Sequence, residues 1–286
     1  MKKNSHVIVV AGPTASGKSD FAVALAKKCN GEIISADSRQ VYKGLDIGTG
    51  KITHEEMQGI PHHMLDVYTT GEEVSVARYA HEARPILEEI LERGKTPIIC
   101  GGTGQYIDAL IFDTPIPKVP PDTALRTLLE KKETGELFRM LTEKDPLRAQ
   151  TIDKHNRVRL IRSLEIIETL GAVPPTPPSS FVYPTTFYLL SPSRELLRKR
   201  ITARLHKRLA MGMIEEVEKL LEQTPSISQL KRYGIEYAVI ARYLKEEIDR
   251  ATMEEEIITQ SMRYAKRQMT WNRKYLPYAT VVDVNL

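Results

Sequence analysis

Eight residues near the N-terminus carry the most specific chemistry. Gly12-Pro13-Thr14-Ala15-Ser16-Gly17-Lys18-Ser19 matches the phosphate-loop pattern G-x-x-x-x-G-K-[ST] at every fixed position. Such a turn aims successive backbone N–H groups at one spot, and the dipole of the following helix adds partial positive charge there. Lys18 contributes a full charge, and the Ser19 hydroxyl is a ligand for Mg²⁺. The expected ligand is a di- or triphosphate. A second anchor is Asp37, at the end of an apolar run and followed by Ser38-Arg39-Gln40. A carboxylate there serves as a general base or holds metal-bound water, unless it only closes a turn. A third is Gly101-Gly102-Thr103-Gly104, whose glycines admit a ligand close to the backbone and whose threonine offers a hydroxyl; an ordinary tight turn has the same composition.

One absence narrows the chemistry. A nucleoside triphosphatase usually places a second acidic residue after a strand to organise attacking water and metal. Asp37 is the one good candidate, and no arginine-bearing lid stands out. The loop therefore reads as a grip on a diphosphate leaving group rather than on a γ-phosphate. Gly59-Ile60-Pro61-His62-His63 with Asp66 invites a metal reading. Adjacent histidines alternate sides and no third ligand is suitably spaced, so a structural or substrate-edge loop is expected.

These groups require a scaffold that brings strand ends together. Residues 6–11 read as a buried strand and 19–28 as a helix. Residues 32–37 and 96–100 read as further strands, and 76–93 as an amphipathic helix closed by Gly94. This rhythm implies an α/β fold with a parallel sheet flanked by helices. Prolines at 115, 117, 120 and 121 mark a boundary, and 122–170 is mainly helical. Residues 171–184 form a proline-rich extended loop. A strand at 185–190, helices to Tyr275 and an edge strand at 279–284 follow. The expected organisation is a catalytic core of 1–114 and 185–286 with a mainly helical insertion of 115–184.

The chain has 286 residues, a net charge of +4 and two cysteines, Cys29 and Cys100. Two cysteines make no disulfide framework, no apolar run spans a bilayer, and Met1-Lys2-Lys3-Asn4 leads directly into the first strand. A cytoplasmic protein that touches no membrane is expected. Basic residues cluster at 154–162, 194–208 and 263–274. Each cluster is either a solvated helix face or part of a surface for a polyanion.

The blocks GPTASGKS (12–19), ADSRQVYKGLDIGTGK (36–51), GIPHHMLD (59–66), PIICGGTGQYIDAL (97–110), NRVRLIRSLE (156–165) and YAKRQMTWNRK (264–274) resemble the tRNA dimethylallyltransferase family. They occur in family order over nearly the whole chain. The resemblance implies a phosphate-loop core with an inserted helical tRNA-binding domain. It also implies transfer of a dimethylallyl group from dimethylallyl diphosphate to N6 of the adenosine immediately 3′ of the anticodon, in tRNAs reading codons that begin with U. On the same resemblance, Gly12 to Ser19 hold the donor diphosphate, with Mg²⁺ on Ser19. Asp37, Thr103 and Lys18 are catalytic. Asp37, Ser38, Arg39, Gln40, Thr103, Arg126, Val158, Arg159, Leu160, Ile161, Arg162, Arg232 and Gly234 meet the tRNA anticodon stem-loop. Apart from the resemblance, a monomer is expected. Three departures stand out: Lys231-Arg232-Tyr233-Gly234-Ile235-Glu236 replaces the usual Gly-Tyr-Lys-Glu run, Lys154-His155-Asn156 replaces His-Pro-Asn, and Asn272 follows Trp271. Three readings compete: an adenylate isopentenyltransferase acting on a free nucleotide, a small-molecule phosphate-loop kinase, and a non-catalytic RNA binder. The basic insertion favours tRNA over a free nucleotide.

Overall fold

Short apolar runs alternating with amphipathic stretches give the expected βα order. A computed structural model of the chain describes residues 6–113, 117, 119–174, 180–223 and 226–284. In chain order the elements are β1 (Val7–Ala11), α1 (Lys18–Cys29), β2 (Gly31–Ala36), α2 (His54–Met57), β3 (His62–His63), α3 (Val76–Glu92), β4 (Thr96–Gly101) and α4 (Gly104–Ile111). Four helices follow: α5 (Thr123–Leu129), α6 (Thr134–Lys144), α7 (Pro146–Thr151) and α8 (Arg157–Leu170). The chain then forms β5 (Thr185–Leu190), α9 (Arg194–Ala210), α10 (Met213–Gln223), α11 (Ile227–Leu230), α12 (Ile235–Leu244), α13 (Arg250–Asn272) and β6 (Ala279–Val282).

The chain divides into two compact units, Met1–Phe112 with Phe181–Leu286, and Asp113–Ser180. The first is built on a six-stranded parallel sheet in the order β3-β2-β4-β1-β5-β6. The strands β1 and β2 are buried along their whole length, as a parallel sheet covered on both faces requires. Alternate side chains serve opposite faces. Ile8, Val10, Ile33 and Ile98 pack on Ala22, Val23 and Ala26 of α1. Val7, Val9, Ile34 and Ile99 pack in the cluster that includes Leu87, Leu197, Tyr237 and Ile257. Register sets the working edge: Ala11 and Ala36 both align with Gly101, so β1, β4 and β2 end level with one another. The loops after them carry Gly12, Thr103 and Asp37, at the edge where open α/β sheets place ligands.

Two details differ from the sequence expectations. His62 and His63 form the edge strand β3, paired with Ile33 and Ile34. His63 Nε2 meets Glu32 at 2.7 Å, and Arg93 and Lys95 donate to the same buried carboxylate. Burial would raise the Glu32 pKa, but these hydrogen bonds hold it down at about 2. Residues 181–184 belong with the sheet rather than the helices that precede them. Phe181 stacks on Phe112 at 5.0 Å and meets Phe187 at 5.9 Å.

In the second unit, α5–α8 pack around Leu129, Leu137, Leu141, Leu160, Ile161 and Leu164. Asp122, Asp145 and Asn156 cap α5, α7 and α8 through their side chains. Among the described residues, no helix is long and apolar enough to cross a membrane, and no group of three His, Cys, Asp or Glu is arranged to hold a metal ion.

Candidate active site

The phosphate loop closes onto α1 through Gly17, whose φ of 87° lies in the left-handed region that favours glycine. Ser16 N donates to Pro13 O at 3.2 Å, which tightens the turn. Lys18 Nζ folds back over it and donates to Pro13 O at 3.4 Å. Burial lowers the Lys18 pKa, partly opposed by Cys100 and Asp37 and reinforced by Arg204 and Arg208. Cys100 lies under the loop, where burial pushes its thiol up to about 12. It is inert packing rather than a nucleophile. Ser19 stands in the first turn of α1. The Ser16 hydroxyl is buried and has no hydrogen-bond partner among the described residues.

A stripe of arginines on α9 completes the loop from the far end of the chain. Arg200, Arg204 and Arg208 follow one another at four-residue spacing, hence on one helix face. Arg200 Nη1 donates to Ser16 O at 3.1 Å, and Arg204 Nη2 donates to Thr14 Oγ1 at 2.5 Å. Arg208 is buried, donates to Gly48 O at 3.4 Å and meets Glu236 at 3.5 Å. Arg204 pairs with no carboxylate among the described residues. Burial, with the charge of Arg208, lowers its pKa to about 9. In the sequence this basic cluster is either a solvated helix face or part of a surface for a polyanion, with nothing to tie it to the phosphate loop. The spacing was visible, while the contact at 190 residues' separation was not.

Asp37 sits where β2 ends, half-buried. Its Oδ1 accepts from Arg39 N at 2.9 Å, a local turn that fixes the carboxylate. Thr103 accepts at Oγ1 from Ser38 N at 3.0 Å, and its own N–H donates to Ala36 O at 3.0 Å. The third turn thus grips the backbone on both sides of Asp37. Gln40 Nε2 donates to Gly50 O, and Arg39 Nη1 reaches Lys231 O at 3.5 Å. The segment behind them is locked by Glu216, which accepts from the N–H groups of Asp46, Ile47 and Gly48. Arg232 is exposed and pairs with Glu73 at 2.8 Å, while Gly234 caps α12.

The residues expected to meet RNA from the insertion divide into three kinds. Leu160 and Ile161 are buried in the core of that unit, so their side chains face no ligand. Arg126 and Arg162 clasp the buried Glu165. Arg126 donates through Nε and Nη2 at 2.9 and 3.0 Å, and Arg162 donates through Nη1. Burial alone would raise the Glu165 pKa; the two guanidiniums hold it below the ordinary carboxylate range. Val158 and Arg159 are exposed. Nothing in the sequence separates these cases, because Glu165 reads there as one more surface acid.

The model of the IPP transferase family matches residues 40–275. A tRNA dimethylallyltransferase of Anoxybacillus flavithermus is 41% identical over 275 residues, which cover 95% of this chain and 88% of that protein. The full-length tRNA isopentenylpyrophosphate transferase of Bacillus halodurans is similar in structure, with a TM-score of 0.71 at 35% identity over 99% of this chain and 91% of that one. A eukaryotic dimethylallyltransferase solved acting on tRNA gives a TM-score of 0.83 at 28% identity, over 98% of this chain and 74% of that one.

Proposed function

The chain belongs to the tRNA dimethylallyltransferase family, and on that footing we propose that it moves a dimethylallyl group from dimethylallyl diphosphate to N6 of the adenosine 3′ of the anticodon. It is a transferase that prenylates tRNA; the acceptor position, the metal and the roles of single residues are the proposal. The observation that carries it is the pairing of an anion grip after β1 with a carboxylate after β2, at the same edge of the sheet, where both strands end level with β4. Lys18 and Arg204 sit at the phosphate loop, and Asp37 is held between Ala36 and Ser38 by Thr103.

The balance of the step follows from that arrangement. The N6 lone pair of adenine forms a bond to the allylic carbon, and the C–O bond to the diphosphate breaks. The bond's electron pair leaves on the diphosphate oxygen. Backbone N–H groups, Lys18 and Arg204 stabilise that developing charge, as preorganised donors do for any oxyanion. Asp37 takes the proton from N6. The Ser19 hydroxyl and the Asp37 carboxylate are hard oxygen donors, which fit Mg²⁺ held with several of its waters. Bound there, the ion would neutralise diphosphate charge. In the insertion, exposed Arg159 and Val158 form the RNA-facing part of the 158–162 segment.

Incubation with dimethylallyl diphosphate and an unmodified anticodon stem-loop, followed by mass analysis of the nucleosides, tests this reading. Prenyladenosine at the position after the anticodon is the expected product. Product on free AMP but none on RNA would move the assignment to nucleotide prenylation. ATP consumption with a small hydroxylated acceptor would move it to a kinase.

A further inference from the structure

Gln268 is an amide buried within α13, and it uses both of its polar atoms on two loops distant in sequence. Its Oε1 accepts from Thr14 N at 2.8 Å. Its Nε2 donates to Gly102 O at 3.0 Å. The first partner lies in the donor loop and the second in the turn that presents Thr103. A side chain at Gly102 would collide with the Gln268 amide, so the close approach depends on that glycine. Each loop is anchored to its own strand, and the side chain of Gln268 bonds to both. Arg204 donates to the hydroxyl of the same Thr14. The donor loop is thereby pinned from two helices.

We infer that Gln268 is a positioning residue that sets the separation between the donor loop and the acceptor turn, and so the approach of the amine to the allylic carbon. The inference rests on the prenyl-transfer reading. It follows from the geometry of a carboxamide, which offers one acceptor and one donor at a fixed spacing. A misplacement of reacting groups by about 1 Å costs on the order of a hundredfold in rate while leaving each ligand's own contacts in place.

Two substitutions test it. Gln268→Leu removes both bonds. The single-turnover rate at saturating donor and tRNA is expected to fall about a hundredfold, with the Kd values of inorganic diphosphate and of tRNA within about threefold of the parent. Gln268→Glu is the sharper probe. Ionised, its carboxylate cannot donate to Gly102 O and sets two acceptors against each other. Protonated, it regains one donor and one acceptor. The rate of Gln268→Glu relative to the parent is therefore expected to rise at least about tenfold from about pH 8 to about pH 5. Taking the ratio on one preparation at all pH values removes any effect of partial misfolding. A flat ratio overturns the inference, as does a Gln268→Leu loss confined to affinity. A parent protein that makes no prenylated tRNA overturns the functional reading and the inference with it. A productive parent with a flat ratio overturns the inference alone.

Discussion

Arg204 Nη2 and Thr14 Oγ1 lie 2.5 Å apart, so a helix from the second half of the chain holds the phosphate loop formed at its start. The guanidinium is poorly solvated and pairs with no carboxylate among the described residues. A cation so placed is unfavourable in the empty protein and becomes favourable when an anion arrives. Arg204→Met is therefore expected to weaken donor binding or slow transfer by roughly a hundredfold, the scale of one lost oxyanion donor. Its melting temperature should equal or exceed the parent's. Calorimetric titration with dimethylallyl diphosphate and thermal unfolding check the two halves. A lower melting temperature with normal donor affinity and rate would make Arg204 only a strut.

The same groups predict proton uptake on donor binding. Burial lowers the pKa of Lys18, and it brings Arg204 to about 9. A cation whose folded pKa lies below its unfolded value destabilises the fold while protonated, and that cost shrinks as pH rises from the folded value towards the unfolded one. A bound diphosphate acts in the opposite sense by favouring the charged form. Near the Arg204 value of about 9, donor binding should take up protons, and affinity should fall as pH rises further. Titrations in two buffers of different ionisation enthalpy measure the uptake directly. Equal apparent enthalpies at that pH would show that neither group titrates with the ligand.

Glu165 offers a stability test inside the insertion. Its carboxylate is buried under Arg126 and Arg162, which keep its pKa low. A depressed carboxylate pKa contributes stability that is present above the unfolded value of about 4.3 and lost as pH falls through the folded one. Glu165→Gln should destabilise the protein by roughly 1–3 kcal/mol, the range for breaking a buried hydrogen-bonded group. It should also flatten the acid limb of the unfolding profile. Denaturant titrations across pH read both. An unchanged acid limb would separate Glu165 from acid stability.

Arg159 is the contrasting case on the same helix. It is exposed and has no ion-pair partner among the described residues. Arg159→Ala should leave the unfolding midpoint within about 0.5 kcal/mol of the parent, as surface changes do. It should weaken tRNA binding and reduce the slope of log K against log salt by about one unit. Arg126→Ala and Arg162→Ala would mix this effect with loss of the Glu165 clasp. A parent-like salt slope for Arg159→Ala would mark the residue as solvated surface.

The phosphate loop, the alternation of strands and helices and the position of Asp37 were legible because each depends on residues adjacent in sequence. Glycine spacing announces the loop, and periodicity announces the strand that feeds it. Arg204 and Gln268 were not legible, because their meaning lies in partners 190 and 254 residues away. His62 and His63 read as a loop because two residues are too few to show a strand period; their pairing with Ile33 and Ile34 comes from the sheet. Leu160 and Ile161 were grouped with their arginine neighbours by motif, yet helical geometry turns them inward.

Asp37 carries the last prediction. Its Oδ1 accepts from Arg39 N, and Thr103 fixes the backbone on either side, so the carboxylate has one defined direction. An exocyclic aromatic amine is a weak nucleophile, because its lone pair is delocalised into the ring. A carboxylate in reach orients the N–H and removes its proton as the C–N bond forms, which is typically worth about 10² to 10⁴ in rate. Asp37→Asn keeps the shape and the bond from Arg39 but loses the basicity. The single-turnover rate should fall within that range, with tRNA and donor affinities nearly unchanged. If Asp37 acts instead by holding the waters of a Mg²⁺ on Ser19, the loss should appear in donor affinity and recede as Mg²⁺ is raised. Rates and donor affinities measured across a Mg²⁺ series separate the two. Recovery of the Asp37→Asn rate in excess Mg²⁺ would transfer the residue from proton acceptor to metal site.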